Sequence, residues 1–183
     1  MQTASMRLPS TLALILLGAT ATAQAQSGDI TFNGAVSTVT CEVSFNGVIG
    51  NNATVTLPTI ASNSLLSGQS RGRTPIVVRI SGADPVCSSN RLAIALNTDR
   101  SANLLNGRLR STGIGVGGGT NAVVALRDAQ GARIDLTGGV VLRPVAADAG
   151  GAEFTFYAEY YADNQDAVPG AFQAPLRYTL NYP

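Results

Sequence analysis

Apolar residues recur at every second position along most of this chain, and almost nowhere at the three- and four-residue spacing of a helix. Side chains alternate across a strand, so such runs are half-buried strands. Val39, Cys41, Val43 and Phe45 form one set, closed by Asn46-Gly47, a dipeptide suited to a tight hairpin. Val55 and Leu57 form another, ended by Pro58. Ile76, Val78 and Ile80 follow, then Leu92, Ile94 and Leu96, then the short apolar run Ala122 to Leu126. Asp128 to Gly131 reads as a hairpin loop into Ile134 and Leu136. Phe154, Phe156, Ala158 and Tyr160 alternate, as do the residues from Phe172 to Tyr182. Seven or so short strands predict an all-β sandwich of the immunoglobulin-like kind. Residues 59–74 and 98–120 carry little pattern and are assigned no element.

The first residues have a different grammar. Arg7, the apolar run Leu12 to Leu17 and the small-x-small triplet Ala23-Gln-Ala25 read as a secretory signal spanning residues 1–25. The run is too short to span a bilayer of ~30 Å. Cleavage after Ala25 would leave 158 of the 183 residues, enough for one domain, with eleven Arg against eleven acids. Export places the two cysteines in an oxidising compartment, and Cys41 and Cys87 are the only pair available. A bridge between them is worth on the order of 4 kcal/mol in the chain-entropy model.

Composition excludes much chemistry. The chain has no His and two Cys, so it can build neither a Ser-His-Asp triad nor a Cys- or His-ligated zinc site. A formal charge of +1 offers no attraction for nucleic acid or an anionic membrane. No metal and no cofactor are expected. Gly113-Ile-Gly-Val-Gly-Gly118 matches the dinucleotide fingerprint in letters, but an apolar β-type run follows where a helix is required, so it reads as a glycine-rich loop. Asn52-Ala-Thr54 is a formal glycosylation triplet. Asp163 and Asp166, near Glu159, sit in a polar stretch that reads as a solvated loop rather than a carboxylate pair for catalysis. Tyr157, Tyr160 and Tyr161 could stack on sugars, but Tyr in strands is ordinarily packing.

The two ends of the chain carry the functional reading. Ile30, Phe32, Gly34 and Val36 occupy even positions, whereas the next apolar set, Val39 to Phe45, occupies odd ones. One straight strand cannot bury both sets on one face. A break near Ser37-Thr38 therefore separates a first strand, either by a bulge or a switch between sheets, or because that strand serves a different partner. At the other end, Phe172, Ala174, Leu176, Tyr178, Leu180 and Tyr182 share one face of a terminal strand. Pro175 suits an edge position there, and an uncovered apolar edge needs a neighbour.

These features resemble the pilins of the chaperone–usher pathway, most closely the type 1 fimbrial major-subunit group. Gly28-Asp-Ile-Thr-Phe-Asn-Gly34 resembles the family's donor segment, and Cys41 and Cys87 stand where the family's cysteines do. Gly170, fourteenth from the end, and the penultimate Tyr182 match its C-terminal signature, from which Pro175 and the final Pro183 depart. The resemblance implies an incomplete immunoglobulin-like β-sandwich, residues 39–183, lacking its last strand, and a donor extension, residues 26–38. A periplasmic chaperone would fill the groove beside the C-terminal strand first. The extension of a neighbouring subunit would replace it at the outer-membrane usher, giving a homopolymer at the cell surface that supports adhesion. Donor positions would be Ile30, Phe32, Gly34 and Val36; acceptor and chaperone-binding positions would be Gly170, Phe172, Ala174, Leu176, Tyr178, Leu180 and Tyr182. An enzyme is not expected. The alternatives are a minor or adaptor pilin, or a secreted sandwich that completes itself and serves as a binding module.

Overall fold

An alternating run becomes a strand only where a neighbour supplies main-chain partners, and the chain obeys this unevenly. The computed structural model describes residues 41–112, 119–148 and 150–182. The leader, the extension with Ile30, Phe32, Gly34 and Val36, the phase break at Ser37-Thr38 and the motif Gly113 to Gly118 lie outside the described residues. The described residues hold no α-helix.

Twelve strands are formed: β1 (Glu42–Phe45), β2 (Val48–Ile49), β3 (Ser70–Ser81), β4 (Ala93–Leu96), β5 (Leu104–Leu105), β6 (Arg108–Arg110), β7 (Val123–Asp128), β8 (Arg133–Ile134), β9 (Val140–Leu142), β10 (Ala146–Asp148), β11 (Gly151–Tyr161) and β12 (Tyr178–Asn181). One sheet runs β2-β1-β3-β11-β7-β6-β5, with β10 also on β11 and β8 on β7; the other runs β12-β4-β9. Every ladder between these strands is antiparallel. The inner faces meet in one core, with Val78, Ile80 and Phe154 from the large sheet against Ile94 and Leu96 from the small one. The expected all-β sandwich is therefore the fold.

The hairpins follow turn chemistry. Asn46 and Gly47 both take positive φ, 48° and 82°, as a two-residue turn matched to strand twist requires. The Asn46 side chain also accepts from the Val77 N–H at 2.8 Å, which ties the turn to β3. Asp128 closes the β7–β8 hairpin by accepting from Gln130 N at 3.0 Å and Ala132 N at 2.8 Å. A disulfide joins Cys41, just before β1, to Cys87 in a short 3-10 turn, Pro85–Ser88, with Cα atoms 5.5 Å apart.

Three expectations need correction. Residues 59–74 are not structureless, because β3 begins at Ser70 and pairs along its length with β11. Residues 98–120 contain the β5–β6 hairpin, turned by Asn106 and Gly107 at φ 50° and 74°. Val55 and Leu57 are half-buried against the core, but no strand forms there, because no described strand lies alongside to bond it.

Candidate functional site

The C-terminal segment explains why the sandwich has an opening. From Ala171 to Asn181 its odd-numbered residues turn their main chain towards the body of the protein. Ala171 O accepts from Thr120 N at 3.2 Å, Gln173 O from Thr112 N at 2.7 Å, and Arg177 O from Asn97 N at 2.9 Å. Gln173 N donates to Ser111 Oγ at 3.2 Å. Along β12, Thr179 then faces Ala95 and Asn181 faces Ala93. In extended chain, successive residues point their N–H and C=O to opposite sides. The even-numbered residues therefore turn theirs outward, along a free edge. Pro175 is odd-numbered, so its missing N–H falls on the anchored side, where the chain passes from Ser111-Thr112 to β4. The free edge loses no donor to it.

The side chains of the same even residues point into the core. Phe172, Ala174, Leu176, Tyr178 and Leu180 are half-buried and packed on it, while Tyr182 is exposed. Gly170, also exposed, precedes them. Beyond the free edge lies a groove of about 1120 Å³. Ile76 and Val78 of β3, Val124 and Leu126 of β7, and Phe156 and Ala158 of β11 form its floor, with Ile94 and Leu96 of β4. Its second lip is Asn51 to Leu57. Asn52 to Ile60 make no hydrogen bond to any described residue. Two extended lips thus flank an apolar trough, and the facing main chain of each is unpaired among the described residues.

One polar tie crosses between the lips. The Tyr178 hydroxyl donates to Asn51 O at 2.7 Å, and the Tyr178 ring stands edge-on to Phe45 with centroids 5.2 Å apart. Burial pushes the Tyr178 phenol above its ordinary pKa, helped by the neighbouring Tyr182, and burial does the same to Tyr160. At the opposite end Tyr160 meets Phe172 edge-on at 5.9 Å. A smaller hollow of about 390 Å³ opens there beside Ile60, Leu65, Ala122 and Gly170. The lining carries one ionisable group besides tyrosines, Arg177, which reaches outward to Asp99 at 3.3 Å. Such a trough suits an extended apolar segment that brings its own main-chain donors and acceptors.

The other candidates of the sequence are in structural use. The polar stretch is a loop with Asn164 to Asp166 exposed, but the Asp163 side chain is largely buried, bonded to Arg108 at 3.1 Å and to Asn106 Nδ2 at 2.8 Å. Asp166 accepts from Ser67 N at 2.8 Å, and Glu159 is a buried partner of Arg127. Arginine guanidinium groups cover the rings of Tyr157 (Arg73, 4.0 Å) and Tyr161 (Arg108, 4.1 Å), so the tyrosines do not form an open sugar-stacking surface. Asn52 to Thr54 are exposed on the lip. Among the described residues no cluster of His, Cys, Asp and Glu could hold a metal.

Sequence reasoning missed the second lip and the anchors of the first. Asn97 is the main anchor. It is 1% exposed, sits at φ 51° after β4, donates to Leu136 O at 2.8 Å and accepts from Ala102 N at 3.0 Å. An Asn closing the fully apolar run Leu92 to Leu96 was the available signal.

Comparison with known proteins points one way. The profile of a family described as fimbrial protein matches residues 30–183. The major fimbrial subunit SMF-1 of Stenotrophomonas maltophilia is 32% identical over 178 residues, covering 92% of this chain and 99% of that one. The F17 fimbrial protein of Escherichia coli is 27% identical over 178 residues, covering 93% and 96%. Among solved structures, the P pilus rod subunit PapA matches 86% of this chain and all of its own, with a TM-score of 0.56 at 17% identity. A chaperone–usher pilus solved to explain rod uncoiling matches 88% of this chain and 99% of its own, with a TM-score of 0.58 at 17% identity. At these identities the structures support the fold alone.

Proposed function

The chain belongs to the family of fimbrial proteins, and on that premise we propose that its groove accepts the N-terminal segment of a neighbouring copy, linking subunits head to tail. The protein is a structural subunit of a cell-surface pilus, where it associates with neighbouring pilin subunits, and not an enzyme. In this reading Ile30, Phe32, Gly34 and Val36 are the donor positions, and Phe172, Ala174, Leu176, Tyr178 and Leu180 face them. In this reading Gly34 would sit where there is no room for a side chain, or where backbones approach closely. The subunit passes through the periplasm with a chaperone in the groove, and the outer-membrane usher exchanges that chaperone for the next subunit. The resulting fimbria supports adhesion.

The observation that carries this reading is the free edge itself: two lips whose facing main chain is unpaired among the described residues flank an apolar floor. Lengths agree with it. Ile30 to Val36 is seven residues, as is each lip where they face one another, Asn51 to Leu57 and Phe172 to Tyr178. Burying Ile30, Phe32 and Val36 is worth on the order of 5–9 kcal/mol before ordering costs. Donation from one copy to the next is heterologous and does not close, so it yields a filament.

The test compares the exported protein with and without residues Gln26 to Ser37, each run unboiled and boiled on a denaturing gel and each imaged by negative stain. The expected result is a heat-sensitive ladder and filaments from the full-length form alone. A monomer from both forms would sink the proposal and favour a sandwich that completes itself.

A further inference from the structure

Large and small side chains are interspersed along the free lip of the groove. Its inward positions read Gly170, Phe172, Ala174, Leu176 and Tyr178. The two aromatic rings are fixed in place. Phe172 stands edge-on to Tyr160 at 5.9 Å, and Tyr178 is held by Phe45 at 5.2 Å and by Asn51 O at 2.7 Å. Side chains directly opposite on one face of an antiparallel pair have Cβ atoms about 4.5–5.5 Å apart. A segment lying beside this lip therefore meets each ring at close range and has least room for a side chain there. Phe172 and Tyr178 are six residues apart, and so are Gly28 and Gly34. Between the glycines stand Ile30 and Phe32; between the rings stand Ala174 and Leu176. Every ladder between the strands of this fold is antiparallel. In that direction the largest donor side chain, Phe32, meets the smallest acceptor between the rings, Ala174. The parallel direction would set Phe32 against Leu176.

We propose that side-chain volume sets one register for the inserted segment: Gly28 of one copy opposite Tyr178 of the next, Ile30 opposite Leu176, Phe32 opposite Ala174, Gly34 opposite Phe172 and Val36 opposite Gly170. The proposal rests on the reading of the groove as the acceptor of a neighbour's N-terminal segment and names the pairing within it. A slip of two residues one way puts Phe32 on Phe172 and Gly34 on Gly170, which crowds one site and leaves a void at the other. A slip the other way puts Val36 on Phe172 and leaves Gly34 on Ala174, with the same defects. The outward face agrees with the register that volume selects. Ala171, Gln173 and Arg177 are exposed there. Asn33 then stands opposite Gln173, amide to amide, and Asp29 opposite Arg177, acid to base. Even-numbered residues of the lip turn their main chain to the groove, so the even pairs exchange the hydrogen bonds. Pro175 falls opposite Thr31 in a pair that needs none.

Cysteine pairing tests the register in the full exported chain. Four double variants combine Asn33→Cys or Ala35→Cys with Ala171→Cys or Gln173→Cys. Opposite residues of a pair without mutual hydrogen bonds have Cα atoms about 4.5 Å apart, within disulfide reach, whereas diagonal neighbours stand about 7–8 Å apart. Asn33→Cys with Gln173→Cys, and Ala35→Cys with Ala171→Cys, should each give a ladder that survives boiling and disappears on reduction. The two crossed combinations should give only the heat-sensitive ladder of the unsubstituted chain. A boiling-resistant ladder from a crossed combination would overturn the register, and so would its absence from either matched one. A second measurement needs no cysteine. Ala174→Phe should remove the unboiled ladder, and adding Phe32→Ala should restore it; a double variant no better than the single one would also count against the pairing. If the unsubstituted chain forms no heat-sensitive ladder, strand donation itself fails, and the register with it.

Discussion

Tyr178 shows how much one side chain decides. Its ring fills the floor at one end of the groove against Phe45, and its hydroxyl holds the lip at Asn51 O. That lip has no other hydrogen bond to described residues from Asn52 to Ile60. Replacing Tyr178 with Phe keeps the ring and removes the tie, at a cost of about 1 kcal/mol. The phenol's pKa is raised in the folded state, so the folded protein holds that proton when the unfolded chain has lost it. Its contribution is complete below the ordinary tyrosine value of 10.0 and is lost as pH rises through the folded value. Denaturation midpoints at pH 8 and pH 11 should therefore show the gap between wild type and Tyr178→Phe shrinking at the higher pH. Tyr160, shifted the same way, leaves a residual alkaline loss in both. A gap that stays constant would mean that Tyr178 titrates alike in both states.

Strands were legible where turn chemistry and alternation agreed, and not otherwise. Asn46-Gly47 was readable because alternation leads into it. Asn106-Gly107 makes the same turn and was not, because the flanking Leu104-Leu105 and Arg108 to Arg110 are too short to show a period. Val55 and Leu57 alternate, yet their segment bonds to no described strand, since alternation reports a buried face and not a partner. The C-terminal segment splits in the same way: β12 begins only at Tyr178, although Phe172, Ala174 and Leu176 keep the period. Pro175 marks the change of neighbour between Ser111-Thr112 and β4. Its missing N–H points away from the groove, so Pro175→Ala should leave assembly on the unboiled ladder unchanged. A Pro at Ala174 or Leu176 would remove a donor from the free edge and should abolish it. If Pro175→Ala weakens the ladder as much as those do, the assigned direction of its main chain is wrong.

For the molecule as a whole, the charge inventory sets the response to pH. There is no His and no Lys, and both cysteines are bonded. No side-chain type with an ordinary pKa between about 5 and 9 is therefore left to titrate. Asp99 and Asp135 hold their protons even less than ordinary carboxylates, because backbone and hydroxyl donors of Ser101 and Thr137 bond their charged forms. A group whose pKa is lowered on folding adds stability above its unfolded value and loses it only as pH falls through the folded one. Melting temperature should thus stay flat from pH 6 to pH 9, fall in acid and fall again above pH 10. A slope within the plateau would point to a titrating group that the composition does not contain.

The sequence alone determined the all-β class and the core-facing residues of most strands, because periodicity and turn chemistry are local properties of a chain. It also marked both ends as unusual, since a phase break and an uncovered apolar face are visible without knowing any partner. The tertiary structure decided which alternating segments find neighbours and which remain as groove lips. It also decided which arginine covers each tyrosine. Those outcomes depend on pairing between residues far apart in the chain, such as Tyr178 with Asn51 or Asn97 with Arg177, and no local pattern encodes them.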